Sequence, residues 1–306
     1  NRALNQLVVA SEIATCHRGG SSGQGRRGSP SHGLAPVALT LLMAAGWIGW
    51  SGSAAAQAVD CTAAPYNAYN GTASCMGYTS AASGIGATAV GSLARANVLG
   101  ALALGYSSTV NAQNGIAVGF GAYSNAINSV YIGARTASGT GALAGGAIGI
   151  GTDVTASGPN AVAIGTQAIA NDSSNVALGL SAHATGLEGT ALGYATNATG
   201  VNSTAIGNQI TAAADGSIAI GANAGVMVDA ASTNSFAAGW GAKVTGAINA
   251  VALGTSAAAS NGQATALGGF TKATGEGATA VGLSSQATFA HSTAIGWQAY
   301  STALNA

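Results

Sequence analysis

A short phrase that keeps returning in step constrains this chain more than any other feature. "NAVAIG" (160–165), "SSNVALG" (173–179), "NSTAIG" (202–207), "NAVALG" (249–254) and "GATAVG" (277–282) each end on a glycine that follows an apolar residue. The final glycines are Gly77, Gly91, Gly105, Gly119, Gly133, Gly151, Gly165, Gly179, Gly193, Gly207, Gly221, Gly239, Gly254, Gly268, Gly282 and Gly296. They stand 14 residues apart, apart from steps of 18 at 133→151 and 221→239 and one of 15 at 239→254. Counting each glycine as zero, position −1 is apolar throughout and position −2 is Ala in thirteen of the sixteen copies. Asn stands at −5 in six copies: Asn114, Asn128, Asn160, Asn202, Asn234 and Asn249. A unit this short cannot bury an apolar side alone, so the copies must stack.

Each copy reads as two short strands. One is the four or five residues ending near the marked glycine, the other covers roughly +2 to +6, and a turn rich in Gly, Asn and Ser follows. Residues alternate within each strand as a pleat requires. With no side chain at the marked glycine, the backbone is free to bend or to approach a neighbour there. Ala favours helix, but a helix interior loses about 1 kcal/mol at every Gly. Collagen is excluded because Gly does not recur at every third position. The expected fold is therefore all-β, a solenoid of parallel strands about 4.8 Å apart, its sixteen turns about 70 to 75 Å long. Small inward side chains let a narrow coil close without voids. Buried Ala contributes little at about 25 cal/mol per Å², while ordering the backbone costs about 1–2 kcal/mol per residue. Ladder hydrogen bonds and the one Ile, Leu or Val per turn are expected to carry much of the load. Both strand parities are constrained, apolar at −1 and Ala at −2, so a second packed face and a homo-oligomer are expected.

Charged residues make up only 5% of the chain, which raises the question of a membrane. One stretch qualifies, "LAPVALTLLMAAGWIGW" (34–50), with Arg26 and Arg27 ahead of it and "SGSAAAQAVD" behind. Basic flank, apolar core and small-residue site make a secretory signal cleaved after Ala58 or Ala56, the alternative being an anchor that stays attached. The chain opens on Asn1 and its leader is longer than usual, so the start of the precursor is expected upstream. The expected organisation is an extended signal region with the signal over 1–58, a mature N-terminal segment over 59–71 and a repeat domain over 72–306. From Val59 onward the net charge is −3. No basic patch is present to grip a phosphate backbone, and nucleic acid is a poor partner. Cys61 and Cys75 stand fourteen apart at the mature N-terminus. In an exported protein they are a candidate disulfide, the alternative being two free thiols.

The phrases "NAVAIG", "NAVALG" and "GATAVG" at 14-residue spacing resemble the head repeats of the trimeric autotransporter adhesins. "NRALNQLVVASEIA" (1–14) resembles the extended signal peptide region of the same secretion class. The resemblance implies a left-handed parallel β-roll, three copies of which associate into a homotrimeric head. It also implies a coiled-coil stalk and a shared β-barrel anchor in the Gram-negative outer membrane. Such heads bind host matrix proteins, host cells or one another. No heptad run or amphipathic membrane strand follows the repeats by residue 306, so an anchor is expected in a missing C-terminal region.

Reactive groups are few and scattered, so no catalytic, cofactor or metal site is expected. His183 lies at +4 of its copy and His291 at −5 of a distant one. Asp172 and Glu188 fall in neighbouring turns but at different positions. "GALAGGAIGIG" (141–151) lacks the Lys-Ser/Thr ending of a phosphate loop and reads as a variant repeat. Exposed aromatics are the better lead to adhesion, because Tyr and Trp serve as binding anchors. Position +1 carries Tyr78, Tyr106, Phe120, Tyr194, Trp240 and Trp297. Tyr131 occupies −2, where it is expected either to fill a wider part of the oligomer or to face outward. The two four-residue insertions, placed by spacing near 140–148 and 225–235, are further candidates because solenoid insertions bulge from one face. The expected function is a non-enzymatic surface adhesin head. A passive spacer is the alternative, and an ice-binding solenoid, which needs an unbroken Thr array, ranks below both.

Overall fold

The structure, a computed structural model, describes residues 73–222, 227–301 and 303–306. The signal region, the segment 59–71 and Cys61 lie outside the described residues.

Each copy forms one coil with a long strand at −3 to −1 and a short strand at +4 and +5, as in Val176–Leu178 and His183–Ala184. The long strands make one parallel sheet and the short strands a second, each pairing with its counterparts in the coils before and after. Pairing is in step: Ala163 opposes Ala177, which opposes Ala191. The irregular steps cause no slippage, since Val130 still pairs with Ile148 and Phe236 with Val251. In three coils the long strand runs on through the glycine to +1: Thr190–Tyr194, Thr204–Asn208 and Ile218–Ala222. The short strand is narrower than the +2 to +6 span expected from the sequence because hydrogen-bonded turns occupy both its flanks.

Those turns explain the recurrent Asn. In the coil of Gly179 the Ala182 N–H donates to the Gly179 carbonyl at 3.3 Å, and at the other end Gly189 N–H donates to the Gly186 carbonyl at 2.9 Å. The third residue of each turn is left-handed, Ser181 at φ 53° and Glu188 at φ 57°, as a type II turn demands. In the second turn this residue is the one at −5, and Asn114, Asn128, Asn160, Asn202, Asn234 and Asn249 all hold φ between 53° and 57°. Asn tolerates that region better than most side chains. The Asn is therefore a backbone device.

The marked glycine is a device of another kind. Most of these glycines hold φ between 116° and 142°, and a Cβ on Gly179 would stand 2.3 Å from the carbonyl oxygen of Gly193 in the next coil. The column of glycines is backbone touching backbone, and nothing larger fits.

Positions −4, −2, +3 and +5 point into the coil. Ala fills most of them, and Ala89, Ala117, Ala163 and Ala205 are fully buried. In coils of regular length a hydroxyl that replaces Ala at +3 donates back to the carbonyl of the marked glycine: Ser80 to Gly77 at 2.9 Å, Ser108 to Gly105 at 3.0 Å, Thr271 to Gly268 at 2.9 Å. The largest buried aliphatics are Ile210, Val110, Val154, Val228 and Val244. The apolar residue at −1 does not join this core. It lies on the other parity of the strand and points outward, so within one chain the load expected of it falls on the ladder and on Ala.

Tyr131 is the exception among the inward positions and is fully buried. It fits because its register partner one coil on is Gly149, where a Cβ would stand 3.0 Å from the Tyr131 ring. The four extra residues also enlarge this coil. They fall between Gly133 and the short strand Gly141–Ala142, not near 140–148 as the spacing suggested. The ring fills the coil itself, neither a wider part of an oligomer nor an outward contact. Its hydroxyl donates to the Ala134 carbonyl at 3.0 Å, and burial raises the phenol above its ordinary pKa. The second long coil divides its extra residues, with two before Met227 and two after Val228.

The glycine column sets a graded expectation. Gly179→Ala forces a disfavoured φ and a backbone clash together, and should lower stability by at least about 2 kcal/mol. Gly246→Ala meets nothing nearer than the Ser260 carbonyl at 4.0 Å with φ 62°, so only left-handed strain of about 1 kcal/mol applies. Urea unfolding followed by far-UV circular dichroism separates the two.

Candidate functional site

Two surfaces and one loop remain unused by the coil. The first surface is the outer face of the long-strand sheet, formed by −3 and −1. Leu104, Ile164 and Leu192 at −1 are 41%, 37% and 41% exposed. Beside them Leu102, Ile116, Val130, Val162 and Val176 at −3 are only half-buried. At −3 Thr88, Thr190, Thr204, Thr265, Thr279 and Thr293 interrupt the row, but −1 is apolar in every coil, so an apolar stripe runs the length of the stack, larger than a monomer ordinarily leaves bare.

The +1 aromatics stand at one edge of this stripe, on the outer corner of the first turn. Tyr106 and Phe120 stack with ring centroids 5.5 Å apart and 10° between planes. Tyr78, Tyr194, Trp240 and Trp297 are likewise exposed. The sequence marked these residues by type but did not show that they border an apolar face.

The loop is the insertion over 134–140. Asp153, at +2 of the next coil, pins it by accepting from the Thr136 N–H at 2.6 Å, the Thr136 hydroxyl at 2.6 Å and the Ala137 N–H at 2.8 Å. Arg135 donates from Nε to the Thr140 carbonyl at 2.8 Å and lies 4.9 Å over the Tyr123 ring. Ala137 and Thr140 wall one end of a groove of about 400 Å³ over the short-strand sheet, lined further by Asp153, Thr155, Gln167, Ile169, Ser181 and His183. Hydroxyl, amide and imidazole groups around one aliphatic side chain suit hydrogen bonding to a neutral polar ligand. Asp153 does not stand out in the sequence; its position just after the 18-residue step is the available signal. A second feature missed was an Asn ladder at +6, in which Asn97 Nδ2 donates to Asn111 Oδ1 at 3.0 Å and Asn111 Nδ2 to Asn125 Oδ1 at 3.3 Å.

His183 and His291 belong to distant coils, and among the described residues no three of His, Cys, Asp and Glu gather as a metal site. Cys75 is buried and disulfide-bonded; its expected partner Cys61 lies outside the described residues.

In-register coils of this length, with an Ala interior and an apolar outer stripe, define a β-roll head. The YadA head domain repeat matches residues 82–108, 99–122, 156–182, 176–196, 184–209, 198–224, 246–271 and 273–299. Together these cover more than half of the chain, which belongs to the YadA head repeat family. This is a structural, adhesin-type family whose members are cell-surface proteins of Gram-negative bacteria and form trimers. No curated protein matches the chain. The matched stretches skip 123–155 and 225–245, where the two long coils lie.

Hydrogen bonds from Thr136, its hydroxyl first, and from Ala137 hold the Asp153 carboxyl below its usual value of 3.8. Its contribution is fully present above the unfolded value and is lost as pH falls through the lowered folded value. The Thr136 and Ala137 amide resonances should therefore hold their positions from neutral pH to about 4 and move only in stronger acid. Asp153→Asn should speed amide exchange across 134–140 while leaving the melting temperature nearly unchanged.

Proposed function

We propose that the chain forms the homotrimeric, non-enzymatic head of a surface adhesin, attaching its cell to host extracellular matrix or host cells and, head to head, to its own kind. The observation that carries this is the exposed apolar stripe at −1, widened at −3 wherever Leu, Ile, Val or Phe stands there. A single chain leaves it bare along its whole length, and three copies around an axis would cover it. Burying Leu104, Ile164, Leu192 and their neighbours supplies the apolar area that an Ala interior lacks. The short-strand sheet then faces outward, with its hydroxyls, amides and the loop-walled groove available to a partner. Weak charge makes long-range steering minor. Many equivalent weak contacts on three chains give avidity instead, which suits attachment to a repetitive surface.

The purified 306-residue chain should sediment as a trimer. Ile164→Lys, which sets three ammonium groups against one another in the stripe, should weaken assembly at least about tenfold, or about 1.4 kcal/mol. Beads carrying the chain should adhere to matrix-coated surfaces or host-cell monolayers more than beads carrying an inert protein. Adhesion lost in Ile169→Arg with sedimentation unchanged assigns attachment to the groove. Trimers that adhere to nothing would leave a spacer.

A further inference from the structure

A ring of three identical chains needs two different patches on each chain, one meeting the other on the neighbour. The coil offers two such patches, the outer corners of its two turns. The first corner is +1, just before the left-handed residue of the first turn; the second is the residue just before the left-handed residue of the second turn. They stand at opposite ends of the coil, with the short strand between them.

Their side chains nevertheless vary together. The second corner is a large exposed aliphatic in seven coils: Ile85, Leu99, Ile127, Leu187, Val201, Ile248 and Leu304. In six of these the first corner of the same coil is also large and apolar: Tyr78 with Ile85, Phe120 with Ile127, Leu180 with Leu187, Tyr194 with Val201, Trp240 with Ile248, Trp297 with Leu304. Only half of all coils carry such a residue at the first corner, so unlinked corners would coincide about half as often as a full match. Pairing each second corner with the first corner of the following coil leaves only Leu99 with Tyr106 and Leu187 with Tyr194. In seven further coils both corners are polar or small, as in Asn208 with Asp215, Thr166 with Ser173 and Gly269 with Glu276, and three coils break the match: Ser92 with Leu99, Tyr106 with Gln113 and Leu283 with Ala290.

We infer that in the assembled head the first corner of each coil packs against the second corner of the same coil in the neighbouring chain, and that these corner contacts fix the register of the three chains. The inference rests on the trimeric reading and deepens it. Size supports it as well. A stripe about 10 Å wide and about 75 Å long offers only about 750 Å² per chain, to be shared between two neighbours, whereas a stable interface uses about 800 Å² per partner on one side. Corners continuous with the stripe supply the remainder. The −1 column is apolar in every coil and by itself would tolerate a slip of one coil. The corners differ from coil to coil, and a slip toward the following coil sets Ile127 against Ala134 and Val201 against Asn208.

Cysteine pairs in the full chain test this. Phe120→Cys with Ile127→Cys should, on oxidation, convert most of the protein to three-chain species on a non-reducing denaturing gel. Phe120→Cys with Val201→Cys, whose corners lie several coils apart, and each single variant should remain single chains. Sedimentation of the same samples reads trimer formation separately. A trimer whose matched pair fails to cross-link, or cross-links no better than the mismatched pair, overturns the corner contact and leaves the trimer standing. An unsubstituted chain that sediments as a monomer overturns the trimer itself. As a second arm that introduces no thiol, Tyr194→Lys and Val201→Glu should each weaken the trimer, and the two together should restore it. Failure to restore also overturns the inference.

Discussion

The structure depends on one repeated contact, the main chain of a marked glycine resting on the main chain of the next. Gly179 abuts Gly193, which abuts Gly207, and so along the stack. This contact holds successive coils at strand spacing on the corner where the chain leaves the long strand. It lets the ladder continue through the turn, where the Ser181 N–H donates to the Thr166 carbonyl at 2.9 Å. With the ladder continuous, an interior of Ala and hydroxyls suffices, because each inward group has only to fill a narrow space or satisfy a carbonyl.

Much of this was legible in the sequence, because a solenoid writes its geometry as a period. The glycine marks, the Ala at −2 and the 14-residue step led directly to in-register parallel coils. The direction of the −1 side chain was not legible. Two constrained parities look alike on paper, and only the closed coil distinguishes Ala163, inside, from Ile164, outside. The insertion was located by length but misplaced in position, since a step of 18 does not say which turn grew. Tyr131 and Gly149 were individually odd and jointly simple, a large and a small residue sharing one column.

The candidate attachment features were harder to read. The +1 aromatics were visible as types, but their relation to the apolar stripe needed the fold. Asp153 was invisible as a structural acid because its partners are two main-chain N–H groups and one hydroxyl from a loop the period does not describe. Regular coils give length and the apolar stripe, and the loop of the first long coil gives relief over the short-strand sheet.

The Ala interior carries a thermal consequence. Unfolding a coil exposes many peptide groups and comparatively little hydrocarbon, and these change heat capacity in opposite directions. The increment per residue should fall below the about 12–15 cal/mol/K of ordinary globular domains. The stability curve of such a stack is then broad and shallow, holding its form in the cold as well as in the warmth.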